Sequence, residues 1–311
     1  MKPRIVVLGS SNTDMIVNVP RIPRPGETVL GGQFLMAAGG KGANQAVAAA
    51  RVGGNVTFIA RVGDDMFGRR AIEAFQKEGI HVDFVLRDAD RPSGVALIFV
   101  AADGQNSIAV SPGANARLTR LDVRRAASVL DGASALLMQL ETPLDTVVAA
   151  AELAAARHVP VILNPAPARS LPRSLLRRVG LLTPNQAEAS ALSGVEVRDT
   201  HSAARAAGKL QARGVGTVII TLGAKGAFVA DGKGQQLVTG FKVRAVDTTA
   251  AGDVFNGALA VALAEGKPLL EAVRFANAAA ALSVTRLGAQ PSAPTRAEVE
   301  RFLKTHSPIA G

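Results

Sequence analysis

The stretch Asp247-Thr-Thr-Ala-Ala-Gly-Asp253 sets two carboxylates around a run of small residues and leads directly into Val254-Phe-Asn-Gly-Ala-Leu-Ala-Val-Ala-Leu-Ala264. Phe255, Leu259, Ala262 and Leu263 recur at helical spacing, so a helix begins here. A helix start offers unpaired backbone N–H groups and the positive end of the dipole. Gly252 lets an anion approach that backbone closely, and Asp253 in the first turn is aimed at whatever binds there. An anion site beside a carboxylate base is suited to phosphoryl transfer. The same residues also suit a well-capped core helix, because Asp is common at a helix N-terminus.

Further polar residues fall where a ligand would meet them. Asn12 and Asp14 follow the apolar run Ile5 to Leu8, and in extended chain they project to one side, able to grip hydroxyl groups or simply to form a turn. Ala38-Gly-Gly-Lys-Gly-Ala-Asn44 opens an Ala-rich helix and puts Lys41 and Asn44 on one helical face. It is not a Walker A loop, since no Ser or Thr follows the Lys; the alternative is a glycine hinge before a packed helix. Glu141, Asn164 and Pro184-Asn-Gln-Ala-Glu188 each follow a short apolar run, while Asn185 and Glu188 also have the spacing of a capping box. Thr221-Leu-Gly-Ala-Lys-Gly226 supplies glycines that would admit phosphate, or a plain hairpin turn.

The elements that must hold these residues read as a β-rich first part followed by alternating strands and helices. Strands are predicted at Ile5 to Leu8, Thr28 to Met36, Asn55 to Val62, Ser93 to Val100 and Ser107 to Val110. Ala135 to Gln139, Val159 to Leu163, Leu181 to Thr183 and Thr217 to Thr221 then alternate with helices at Pro143 to Arg157 and Thr200 to Arg213, the pattern of a parallel sheet covered by helices. Ligands in such sheets sit beyond the carboxyl ends of the strands, where Glu141, Asn164 and Asn185 fall. Helices are also expected at Phe67 to Glu78, Leu269 to Arg286, with Asn277 as its lone amide, and Glu298 to Lys304.

Composition narrows the classes. A chain of 311 residues suits one large domain with room for a sizeable core. No apolar run reaches the roughly 18 residues of a membrane span, and the basic-then-apolar start is too short for a signal peptide. With no cysteine there is no disulfide framework or thiolate chemistry, which suits a cytoplasmic location. The net charge of +10 raises nucleic-acid binding. Arg169, Arg173, Arg177 and Arg178 interleave with leucines as a wet helix face, however, and Tyr and Trp are absent. No nucleic-acid partner is expected.

Taken in order, Asn12-Thr-Asp14, Gly39-Gly-Lys-Gly-Ala-Asn44, Pro184-Asn-Gln-Ala-Glu188, Asp247 to Asp253 and Thr285-Arg-Leu-Gly-Ala-Gln-Pro-Ser292 resemble the ribokinase branch of the carbohydrate kinase family, over nearly the whole chain. The resemblance implies a three-layer α/β/α fold spanning residues 1–311, with a central, mostly parallel sheet. It also implies a small β-sheet lid from residues near 14–19, 28–36, 93–100 and 107–110, through which two copies form a homodimer. It implies ATP-dependent phosphorylation of D-ribose at the 5-hydroxyl, with fructokinase-like or adenosine kinase-like activity as the alternative. Asp253 matches the catalytic base, and the N–H groups of Ala250, Ala251 and Gly252 match the anion hole. Asn12, Asp14, Gly40, Lys41, Asn44 and Glu141 match sugar-side positions. Asn185, Thr221, Gly223, Gly226, Gly252 and Asn277 match the nucleotide side. Glu188 matches the position linked to Mg²⁺ through water. Asp247, Thr249, Ser283, Arg286, Gly288 and Ser292 match ligands of an activating monovalent cation, usually K⁺. Ala250 stands where the wider family often has Gly.

Overall fold

Ile5 and Val7 enter one hydrophobic core while Val6 and Leu8 enter another, as the two-residue period of a strand requires. Their strand, Arg4–Leu8, lies inside a nine-stranded sheet in the computed structural model, which describes residues 2–309; Met1, Ala310 and Gly311 of the expected domain lie outside it. Edge to edge the sheet runs Gly234–Thr239, Gly226–Asp231, Thr217–Thr221, Leu181–Leu182, Val161–Leu163, Ala135–Met138, Arg4–Leu8, Asn55–Gly63 and His81–Asp88. Only the pairings within the first three of these strands are antiparallel.

Helices Lys41–Arg51, Ala251–Ala264 and Leu269–Ser283 cover one face around Val47, Phe58, Phe255 and Leu259. Helices Leu144–Ala155 and Thr200–Gln211 cover the other around Leu136, Met138, Val147 and Leu210. The result is the expected three-layer α/β/α architecture.

A second, four-stranded sheet runs Phe34–Gly39, Asn12–Val19, Gly94–Ala101, Asn106–Ser111. Only Gly9-Ser10-Ser11 separates Arg4–Leu8 from Asn12–Val19, so Asn12 and Asp14 sit where the chain leaves one sheet for the other. The predicted strand Thr28 to Met36 is displaced: Thr28 to Gln33 lies outside the strand, which begins at Phe34 and extends to Gly39. Gly31 and Gly32 lack side chains to pack on a pleated surface, whereas Leu35 to Gly39 register against Ile16 to Asn12. The edge strands His81–Asp88 and Gly234–Thr239 carry Asp83 and Arg87, and Gln235 and Gln236, which hid them among polar loop residues. Among the described residues no helix is long and apolar enough to cross a membrane.

Candidate active site

Asp253 is buried, 6% exposed, in the first turn of Ala251–Ala264. Its Oδ2 accepts from Asn44 Nδ2 at 3.0 Å and its Oδ1 from Gln45 Nε2 at 2.9 Å. Burial pushes the carboxyl above its ordinary range; Lys41, Asn44 and Gln45 oppose this, and Glu141 adds to it. A carboxylate held out of water, yet surrounded by donors, has the make-up of a general base.

The helix behind it starts without a side-chain cap. Ala250 occupies the cap position in the left-handed region, φ 58° and ψ 11°. The N–H groups of Ala250, Gly252 and Asp253 find no acceptor among the described residues, while that of Ala251 reaches the Thr248 carbonyl at 3.3 Å. These free donors, at the positive end of a helix, open onto a chamber of about 170 Å³ lined also by Lys41, Asn164, Asn185, Glu188, Thr221 and Thr248. Glu188 and Asn185 form the predicted capping box: Asn185 Oδ1 accepts from Glu188 N at 2.8 Å and Glu188 Oε2 from Asn185 N at 2.8 Å. The cap therefore fixes both residues at the chamber wall.

Lys41 stands at the centre of the charge distribution. Burial would depress its pKa, but Asp253, Glu141, Glu188 and Asp14 outweigh that and hold it above the ordinary value. Lys41 forms no ion pair with any of them among the described residues. It remains free for an incoming anion.

Towards the small sheet, Glu141 Oε2 accepts from Ser10 Oγ at 2.5 Å and from Lys41 N at 3.1 Å. Asn12 Oδ1 accepts from Asn115 Nδ2 at 2.8 Å, so Asn115, which the sequence reading did not single out, sets its orientation. Asp14 is pushed up to about 6 by burial and by Glu141 and Asp253, with Lys41 opposing. A Cβ on Gly39 would lie 2.4 Å from both Asp14 carboxylate oxygens, so Gly39 makes the room for them. Gly40, at φ 89°, turns the chain into the Lys41 helix. The Asn44 Oδ1 atom is buried with no partner among the described residues.

The chamber shares Thr221, Thr248, Ala251 and Gly252 with a second cavity of about 350 Å³. Gly223, Gly226 and Asn277 line this cavity, together with Phe241, Val243, Phe255, Ala280, Ala281 and Val284. The Leu222 to Gly226 segment is a short 3₁₀ turn. Asn277 Nδ2 donates to the Val238 carbonyl at 3.0 Å, so part of its amide is used to pin the edge strand. A largely apolar cavity beside a helix-start anion site would suit a ligand with an apolar part and a charged part.

The model of the pfkB family carbohydrate kinases matches residues 2–296. The chain belongs to that family. It is 47% identical over 304 residues to a ribokinase of Haemophilus influenzae, covering 98% of this chain and 99% of the relative. Among solved structures, a ribokinase of Thermotoga maritima is 42% identical with a TM-score of 0.89, over 97% of this chain and 99% of the other. An Arabidopsis thaliana ribokinase complexed with ribose and ATP is 36% identical with a TM-score of 0.90, over 98% and 99%.

For this carbohydrate kinase the metal positions are tested by their donors. Among the described residues no group of three or more His, Cys, Asp or Glu side chains converges; Glu188 and Asp253 are the carboxylates at the chamber wall, and so small a set would fit only a Mg²⁺ held chiefly by phosphates and water. Asp247 Oδ1 accepts from Thr249 N at 2.9 Å and Oδ2 from Gly288 N at 2.8 Å, tying the loop before the Asp253 helix to the loop after Ser283. Burial alone would raise the Asp247 pKa; the Thr249 hydroxyl and the Thr249 and Gly288 N–H groups outweigh it and hold the carboxyl below its ordinary range. Hard oxygen and one negative charge suit a monovalent cation. Ser283 and Ser292 are buried, and their hydroxyls donate to the Ala280 and Ala289 carbonyls. Arg286 turns its guanidinium to Glu298 at 2.7 Å, and its N–H donates to the Ser283 carbonyl.

Proposed function

We propose that this kinase transfers the γ-phosphoryl group of ATP to the 5-hydroxyl of D-ribose, giving D-ribose 5-phosphate and ADP. The observation that carries the reading is the place of Asp253. It is a buried carboxylate beside free N–H donors, in a polar chamber that also holds Lys41 and adjoins a largely apolar cavity. Asp253 takes the proton from the hydroxyl as that oxygen bonds to phosphorus and the bond from phosphorus to the ADP oxygen breaks. The N–H groups of Ala250 and Gly252, with Lys41, face the charge on the moving phosphoryl. Asp14, Asn12, Glu141 and the unpartnered Asn44 Oδ1 hold the remaining hydroxyls. Bound Mg²⁺ near Glu188 would neutralise phosphate charge. A K⁺ beside Asp247 would reinforce the positive field of the anion hole.

The small sheet is the lid over the sugar. It leaves Phe34, Met36, Leu97 and Phe99 exposed on one face, and an exposed apolar sheet face supports a homodimer formed lid to lid. A cysteine-free chain of this class belongs in the cytoplasm. Turnover with Mg-ATP and K⁺ on a panel of pentoses, 2-deoxyribose, hexoses and nucleosides tests the substrate. D-Ribose should be fastest, and faster turnover of fructose or adenosine would overturn the assignment.

A further inference from the structure

Gln45 and Gln139 are both 0% exposed, and burying two amides needs a reason. Gln45 follows Asn44 in the Lys41 helix; Gln139 follows the last residue of strand Ala135–Met138. Their hydrogen bonds form a directed chain. An ionised carboxylate only accepts, so Gln45 must turn its NH₂ towards Asp253, where it lies 2.9 Å from Oδ1 and 3.2 Å from Asn164 Oδ1. That leaves Gln45 Oε1 pointing away and in need of a donor, which Gln139 Nε2 supplies at 2.6 Å. The packing is built around this chain. A Cβ on Gly9 would lie 2.0 Å from Gln139 Oε1, so Gly9 makes room for the Gln139 amide; a Cβ on Gly257 would lie 2.6 Å from the Gln45 main-chain carbonyl, so Gly257 lets the Asp253 helix approach the helix that carries Gln45.

We propose that Gln45, oriented by Gln139, is a positioning residue that fixes the direction of the Asp253 carboxylate and supplies it with a permanent donor. The proposal rests on Asp253 being the base of the reaction proposed above. Without Gln45 the carboxylate turns more freely and loses one charge-assisted hydrogen bond to its ionised form. The charged groups facing Asp253 are Lys41 and Glu141, with Asp14 and Glu188 beyond, and the substitutions below leave all four in place.

Gln45→Met keeps the volume and removes both donors. The kcat is expected to fall about 10- to 100-fold while the KM for the sugar changes by less than about threefold, and the acid limb of kcat against pH should move up by about one to two units. Gln139→Met should move the limb the same way by less, and should add nothing to kcat once Gln45 is Met. An unmoved limb in Gln45→Met overturns the proposal, as does an additive effect of Gln139→Met. If Gln45→Met does not fold, the limb of Gln139→Met decides alone. Asp253→Asn separates this from the reading beneath it. A tenth or more of the activity retained there removes the base itself, whereas an inactive Asp253→Asn beside an unmoved limb in Gln45→Met removes only the role of Gln45.

Discussion

Around Asp253 the polar neighbours are tied to one another: Asn44 and Gln45 to the carboxylate, Gln139 to Gln45, Asn164 Nδ2 to the Thr183 carbonyl at 2.9 Å, and Asn256 Nδ2 to the Gly252 carbonyl at 2.8 Å. In the proposed nucleotide cavity, Phe241, Val243, Phe255, Ala280, Ala281 and Val284 offer apolar surface instead. On the reading proposed above, one side would orient a reacting atom, where a displacement of an ångström is costly, and the other would hold the nucleotide by burial. The two sides should therefore fail differently. Removing one atom on the base side should cost turnover, and filling space on the nucleotide side should cost affinity.

The strongest test is Asp253→Asn. It keeps the shape and the Asn44 contact while removing the proton acceptor, so kcat should fall by about 10² to 10⁴ or more with ATP affinity within about threefold, read by steady-state kinetics and calorimetric binding. A parallel loss of ATP binding would mean that the two sides are not separable. On the other side, Ala281→Phe places a ring in a cavity of about 350 Å³. The KM for ATP should rise by about tenfold or more while ribose binding in the absence of nucleotide stays within about twofold.

This division also governs what the sequence disclosed. Asp253, Lys41, Asn44 and Glu188 stand at fixed offsets from glycines or helix starts, where residue type and spacing carry chemical meaning. Gln45 lies one residue past Asn44, so helical periodicity points it to another face. Only the tertiary crossing at Gly257 brings both amides onto one carboxylate. Phe241, Val243 and Val284 are scattered apolar residues with no period that marks a pocket. The fold was legible wherever strands alternate with Ala-rich helices. It was obscured at Thr28 to Gln33, where the pairing that decides a strand is with residues distant in sequence.

A finer contrast lies within the base side. Asp14, held at about 6, is ionised at neutral pH and protonated under mildly acid conditions. Ribose affinity measured directly by calorimetry should weaken by about tenfold between pH 7 and pH 5, and Asp14→Asn should remove the dependence. The stability effect has the opposite sense. The folded-state pKa is raised above the ordinary 3.8, so ionised Asp14 opposes folding above about pH 6, and that cost fades as the pH falls through 6. Asp14→Asn should thus raise the unfolding temperature at pH 7.5 while weakening the sugar complex. A substitution that lowers both would place Asp14 among structural residues.

The smallest effect concerns Ala250, where the chain holds a left-handed conformation with a side chain that disfavours it. That conformation costs a non-glycine residue about 1–2 kcal/mol, whereas glycine costs about 0.5–1 kcal/mol through the greater freedom of the unfolded chain. The difference favours Ala250→Gly by about 0.5–1 kcal/mol, measurable as a higher urea midpoint with an unchanged slope. The N–H of residue 250 is the same in both proteins, so kcat should stay within about twofold. A destabilised Ala250→Gly would show that residue 250 does not hold the left-handed turn. A stabilised variant that loses turnover would show that the Ala250 methyl group, and not only its N–H, shapes the chamber beside Asp253.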